Sequence, residues 1–347
     1  MWLRPYHLLG AVVLAVAPVA TAGDGLLRFN GRTMGTTWSV AVADGQAGLS
    51  DAALKAAIQQ RLDQVEAAMS TYLPTSDVSR FNAHAGTDWF AVRPETAAVV
   101  DRAQHISALT GGAFDITVYP LVCLWGFGPE PAPGEPPAAS ALAAALRRVN
   151  YRDLEVQLSF PALRKKRPEL AIDLSGIAKG YASEEVARVI EQHGCIHSMI
   201  AVGGEIRVRG GRPGHRTWRI GIERPDSAGP NVDRVLELTD SALSTSGDYR
   251  NFFDHDRQRY SHLLDPRTGR PVSSALSSVS VVDPDSARAD AFATALMVMG
   301  EDAGGTWARE HGLACIFFSR EGTRLRVRVS PAFSERFGGT SIPSGPR

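Results

Sequence analysis

Cysteine is scarce in this chain. Cys123, Cys195 and Cys315 are scattered and odd in number, which excludes a disulfide framework and leaves each thiol as a small buried hydrophobe, with at most one pair able to bridge. Net charge is lacking too. With 37 basic and 37 acidic residues, no overall field draws nucleic acid or an anionic surface, so any phosphate recognition must be local. No GxGxxG fingerprint, no GxxxxGK[ST] loop and no GxSxG elbow occurs, which disfavours ordinary nucleotide folds and nucleophilic hydrolases. His193 and His197 have i, i+4 spacing, but Gly194 interrupts the helix between them and no third ligand is evident, so zinc is disfavoured. The apolar run Leu8–Val19 stops at about 12 residues, short of the ~20 that span a bilayer.

That run has a different use. Arg4 supplies a positive n-region and Ala20-Thr21-Ala22 a small-residue cleavage site, so residues 1–22 read as a secretory signal peptide cut near Ala22. Without a cysteine there, no lipobox is present, and the expected location is the periplasm. The 347 residues, 44% hydrophobic and 21% charged, are enough for one large core or two smaller ones.

Along the mature chain the patterns are mixed. Phe29–Ala43 alternates and reads as one strand. Ser50 caps a helix with apolar positions at Leu54, Ile58, Leu62, Val65 and Met69, and a second helix runs from Pro94 to Leu109 before the Gly111-Gly112 stop. The Pro-rich stretch 129–137 reads as a surface loop. Ser140 caps a short helix over 141–148, strands are expected at 154–158 and 170–172, and a helix over 177–192 closes at Gly194. Strands then dominate (199–202, 206–209, 218–222, 235–238, 242–244, 279–282), followed by a helix from Asp285 to Met299 and strands at 315–319 and 325–329. Irregular mixing of this kind predicts an α+β fold of mixed sheets with flanking helices. Residues 26–330 are expected to form the domain and 331–347 a flexible tail, fraying from about Phe337.

Several short segments carry chemistry. Asp290 and Thr294, four residues apart on one helical face among Ala287, Ala291, Phe292, Ala295 and Leu296, offer hard oxygen ligands suited to Mg²⁺. A helix cap and a back-bonded Thr explain the pair equally simply. Asp173-Leu174-Ser175-Gly176-Ile177-Ala178-Lys179-Gly180 passes through glycine into a helix, the geometry that points amides and a lysine at an anion. The plain alternative is an Asp cap and a solvated Lys. His262, in Tyr260-Ser261-His262-Leu263-Leu264-Asp265, is the best general-base candidate, though a strand histidine is more often structural. Ser70-Thr71-Tyr72 with Ser76, Ser79 and Asn82 could stack and bond a planar ring. Gly112-Ala113-Phe114-Asp115 and Trp125-Gly126-Phe127-Gly128 add an acid and large aromatics, or simply a hydrophobic corner.

In their order these segments, together with Met34-Gly35-Thr36, Gly203-Gly204-Glu205 and Ser244-Thr245-Ser246-Gly247, resemble the ApbE family of FAD:protein FMN transferases from about Met34 to Leu296. The resemblance implies a T-fold-related catalytic unit of two lobes with FAD as substrate. By that resemblance Asp290, Thr294 and the backbone oxygens of Gly176 and Ala293 would hold Mg²⁺ against the FAD pyrophosphate. Met34, Tyr72, Ala113, Phe114, Asp115, Asp173, Lys179 and Leu264 would contact FAD, and His262 would be the base. Some family members carry Glu at the position of Lys179, so its role as a phosphate clamp is less fixed than that of Asp290.

The implied reaction moves FMN from FAD to a Thr or Ser hydroxyl of an exported flavoprotein, with catalytic roles for His262, Lys179 and Asp290. By family analogy that acceptor would be a subunit of a membrane redox complex, through which the enzyme would meet the membrane periphery. Two alternatives compete: Mg²⁺-dependent hydrolysis of FAD to FMN and AMP, and a periplasmic flavin-binding protein without turnover. The set of Lys179, His262, Asp290 and Thr294 argues against the last, because a pure binder needs neither a base nor a metal at the pyrophosphate.

Overall fold

The computed structural model describes residues 25–43, 50–130, 134–225, 231–248, 252–256, 258–322 and 324–338. The expected signal peptide, part of the Pro-rich loop and the last residues of the tail lie outside them.

Eight strands form the central sheet: β1 (Leu26–Thr33), β2 (Thr36–Ala43), β3 (His197–Val202), β4 (Glu205–Arg209), β5 (Ala242–Gly247), β6 (Leu276–Asp283), β7 (Ala314–Glu321) and β8 (Arg324–Val329). They lie side by side in chain order, and every neighbouring pair is antiparallel. One face carries the helices α1 (Asp51–Met69), α2 (Pro94–Leu109), α3 (Ser175–Gln192) and α4 (Ser286–Glu310), which share the main core with β2, β3 and β6. Against the other face pack a hairpin, Trp218–Glu223 with Val232–Leu238, and α5 (Pro331–Phe337). With both faces covered, β6 is buried at all eight positions and does not alternate. The architecture is the expected α+β, with helices segregated from an antiparallel sheet.

Four local expectations need correction. The single strand over 29–43 is a hairpin that turns at Met34-Gly35, both with positive φ (48° and 67°) as a two-residue type I′ connection requires. Residues 170–172 pair with no strand. Both backbone groups of Ile172 are taken by the Asn82 amide, at 2.7 and 2.8 Å, while the third strand beside Phe90–Ala91 and Leu154–Gln157 is Ala162–Lys165. Ser140 lies inside the short helix Ala139–Leu146, whose N-cap is Ala138. The tail begins later than 331, because α5 is capped by Ser330 and buries Phe333 completely.

α4 also outruns its expected end at Met299. Gly300, at φ 77°, breaks the helical path, and the second half folds back until the Trp307 ring lies 5.2 Å from Phe292. Fifteen residues of straight helix would separate those two by about 22 Å.

Candidate functional site

The site is assembled where α3 crosses α4 beside the β3–β4 hairpin. Close approach at the crossing rests on Gly180: a Cβ there would lie 2.2 Å from the Ser286 carbonyl oxygen and 2.8 Å from the Asp290 Cβ. The Gly180 N–H donates to Asp290 Oδ2 at 2.9 Å. Asp290 is buried, and its other oxygen lies 3.4 Å from Lys179 Nζ.

Lys179 has a second carboxylate partner. Glu205, the first residue of β4, places Oε1 3.2 Å from Nζ and is itself buried, with Oε2 left without a hydrogen bond. Burial works to discharge Lys179, but Asp290 and Glu205 together outweigh it and raise its pKa above the ordinary lysine value. Burial and the neighbouring Asp290 push Glu205 the other way from an exposed glutamate, up to about 7, against the pull of Lys179. Nonetheless 29% of the Lys179 side chain stays exposed, so its charge remains within reach of a ligand.

The other proposed metal ligands converge on this point. Gly176 is pressed between two side chains, and a Cβ on it would meet the Phe114 ring at 3.1 Å and Thr294 Oγ1 at 3.4 Å. Thr294 Oγ1 in turn lies 3.3 Å from Ser246 Oγ, and Ala293 is buried beside it. Among the described residues no three His, Cys, Asp or Glu side chains form a metal cluster. A set of one carboxylate, one hydroxyl and two carbonyls would not make such a cluster, and it is a donor set that suits Mg²⁺ and not zinc. Two carboxylates, Asp290 and Glu205, meet the single Lys179.

Asp173 opens the turn into α3, its Oδ1 accepting from the Ser175 N–H at 2.8 Å. Burial raises its pKa, opposed by that bond and by the charge of Lys179. Its field also reaches Tyr72, whose ring is mostly exposed while the hydroxyl donates to the Phe127 carbonyl at 3.2 Å. Burial of that hydroxyl end and the Asp173 charge raise the Tyr72 pKa.

A second cluster holds His262. Its ring meets Phe127 edge-on, 6.3 Å between centroids, and Phe127 leads to Phe253, Trp125 and Tyr260 in a chain of ring contacts. Trp125 is anchored by donating to the Gly269 carbonyl at 2.8 Å. Leu264 belongs to the same apolar group, with Leu121 and Leu142. Tyr72, through Phe127, thus joins the His262 cluster to the side where Asp173 and Lys179 stand.

Not every predicted contact presents its side chain. Asp115 is buried with both oxygens committed inside the protein, Oδ1 to the Thr117 N–H and hydroxyl and Oδ2 to the Tyr151 N–H. It shapes the 113–117 turn, while Ala113 is buried and Phe114 packs in the main core. Met34 sits at the tip of the β1–β2 turn in left-handed backbone that a non-glycine residue rarely adopts. Glu205 stood in sequence only within the Gly203-Gly204-Glu205 motif, with no role assigned to it. Its signal was an acidic residue opening an otherwise inward-facing strand directly after two glycines.

Comparison with known proteins follows the same residues. The ApbE family model matches residues 34–317. The chain belongs to the ApbE family. It is 39% identical over 308 residues to the FAD:protein FMN transferase of Vibrio cholerae serotype O1, covering 88% of this chain and 91% of that protein. Its fold is similar to the flavin transferase ApbE from Vibrio cholerae, with a TM-score of 0.83 over 90% of this chain and 99% of the other at 37% identity. The apo form of the Pseudomonas stutzeri flavinyl transferase ApbE is similar as well, at a TM-score of 0.84 and 35% identity, covering 91% and 98%.

Proposed function

We propose that this protein is an FAD:protein FMN transferase acting on an exported flavoprotein, and that residues 1–22 take it to the periplasm. The observation that carries this is Lys179 held between two buried carboxylates, 3.2 Å from Glu205 and 3.4 Å from Asp290, in the second turn of α3. Relatives of nearly full length bear the name of that activity.

The residues at the crossing fit Mg²⁺: the Asp290 carboxylate, the Thr294 hydroxyl and the backbone oxygens of Gly176 and Ala293 would hold it, and it would there supply positive charge to the pyrophosphate oxygens. Lys179 binds and steadies a phosphoryl oxygen as charge builds on it. Met34, Tyr72, Phe114 and Leu264 position the flavin and its linker, with Ala113 and the Asp115 turn shaping the wall. A Thr or Ser hydroxyl of the acceptor attacks the phosphorus on the FMN side. A new P–O bond forms, the P–O bond to AMP breaks, and the hydroxyl proton passes to His262. FMN is left on the acceptor as a phosphodiester. Most of the rate comes from positioning and charge, since the enzyme forms no bond of its own.

The test is incubation with FAD, Mg²⁺ and a candidate periplasmic flavoprotein, following AMP and a fluorescent protein band that survives denaturing electrophoresis. Both products are expected. AMP without the band would mean that water takes the place of the acceptor hydroxyl, and tight FAD binding with neither product would overturn both enzymatic readings.

A further inference from the structure

Far from the α3–α4 crossing, the small sheet of Leu154–Gln157, Ala162–Lys165 and Phe90–Ala91 ends in a turn of unusual composition. Gln157 pairs with Ala162, so the tip is Leu158-Ser159-Phe160-Pro161, with neither glycine nor asparagine. Turns normally expose Gly, Asn, Asp and Ser. Here Leu158 is 54% exposed and Phe160 68%, two large apolar side chains at the tip of a hairpin.

The residues behind the tip are graded. Phe90 pairs with Leu163, so Trp89 stands level with Arg164, whose guanidinium lies 4.7 Å over the indole ring. That level is three residues back, about 10 Å along the strand. Trp89 is 38% exposed. Across residues 147–169 seven Lys or Arg face three Asp or Glu, a local excess in a chain of zero net charge. Lys165 is buried, bonded to the Phe81 and Leu170 carbonyls. Arg164 pairs with Glu155 and Arg167 with Asp153. Arg147, Arg148, Arg152 and Lys166 are exposed.

We propose that the 158–161 tip docks on an anionic lipid surface, with Leu158 and Phe160 entering the headgroup and acyl boundary while Trp89 and the flanking cations lie at headgroup level. Aliphatic and phenyl groups deepest, an indole stacked by Arg164 about 10 Å behind, and further exposed basic residues beyond it, is the depth order that the interface rewards. The cations complement anionic headgroups, each contributing attraction that salt screens. A protein partner would more naturally be met by a concave or flat patch than by a two-residue apolar point with a basic collar. This is surface contact and not a span, and no helix among the described residues is long and apolar enough to cross a membrane.

Co-sedimentation with vesicles tests it without reference to activity. The protein without residues 1–22 is mixed with vesicles of phosphatidylcholine alone, or of phosphatidylcholine with phosphatidylglycerol as the anionic lipid. Binding to the anionic vesicles, weakened by salt, is expected. The double variant Leu158→Ser, Phe160→Ser should lose at least about tenfold of that partitioning. Ile196→Ser, which removes an equally exposed apolar side chain elsewhere, should lose none, and equal melting temperatures would show that all three proteins are folded. Absence of vesicle binding by the unaltered protein, as a tip reserved for a protein partner would give, overturns the proposal. So does vesicle binding that the double variant retains.

Discussion

The two halves of the candidate site are built from opposite materials. Around Lys179, Glu205 and Asp290 the groups are charged, largely buried and mounted on two long helices, α3 and α4, and the central strand β4. Around His262 the groups are aromatic and stand on short strands and turns, Phe252–His255, Gln258–Ser261 and the loop at Trp125–Gly128. Rigid elements fix charges to within a fraction of an ångström, which electrostatic stabilisation needs. Loops and ring stacks hold a base while tolerating the approach of a large second substrate. On the proposed function, phosphate handling would fall to the first half and acceptor handling to the second.

The largest effect should come from the charged half. Asp290→Ala removes both the carboxylate proposed for Mg²⁺ and the acceptor of the Gly180 N–H, and AMP release should fall about a thousandfold. Restored activity at high Mg²⁺ would place the loss in metal affinity, and full activity without any rescue would refute the division of labour. His262→Ala should slow transfer to an acceptor by about a hundredfold or more, with FAD binding in equilibrium dialysis little changed. A variant that transfers FMN at the original rate would remove His262 as the base.

Gly180→Ala sharpens the comparison by attacking the frame and not the chemistry. Its Cβ would collide with backbone at 2.2 Å, so thermal or urea unfolding should show a loss of about 1–3 kcal/mol. A loss of activity with unchanged stability would mean that the crossing yields more easily than described.

The last effect concerns pH. Glu205 has its folded pKa raised to about 7, so its protonated form is favoured on folding. Its contribution to stability is present in full below the ordinary value of about 4.5, declines as pH rises through 7, and is flat above. Metal-free protein should therefore lose stability from this group between pH 4.5 and 7, by less than about 1.4 kcal/mol per pH unit. Glu205→Gln should flatten that window while leaving its flanks alone. An unchanged slope in urea titrations would mean that Lys179 holds Glu205 ionised throughout.

How much of this was legible from residues alone depended on range. α1 and α2 were readable because their apolar spacing and caps are local: Ser50 accepts from the Ala53 N–H and Pro94 opens α2. The Met34-Gly35 turn was missed because methionine has no turn signature, and only its left-handed φ reveals it. Residues 170–172 looked like strand because they form a short apolar run, but the partner of Ile172 is a side-chain amide 90 residues away, which no periodicity reports. Asp290, Thr294 and Lys179 were found by motif order. Glu205 needed the fold, since its meaning lies in a lysine that it meets only across the hairpin. Asp115 was expected to touch FAD, and its committed carboxylate confines it to shaping the turn.

The chain-order arrangement of the sheet bears on how the protein comes to fold. Seven of its junctions join neighbouring strands, and six of these bring together segments that follow each other closely or after a modest excursion. The junction of β2 with β3 instead closes a gap running from Ala43 to His197, and loop-closure entropy makes that the costliest contact to reach and the natural candidate for the slow phase. Lys179 lies inside the gap and Asp290 beyond it. Lys179, Glu205 and Asp290 all follow β2 and meet without that closure, whereas the β1–β2 turn reaches them through it, with the Gly203 N–H donating to the Thr37 carbonyl at 3.0 Å. A chain caught before it would hold the charged centre without the wall that carries Met34.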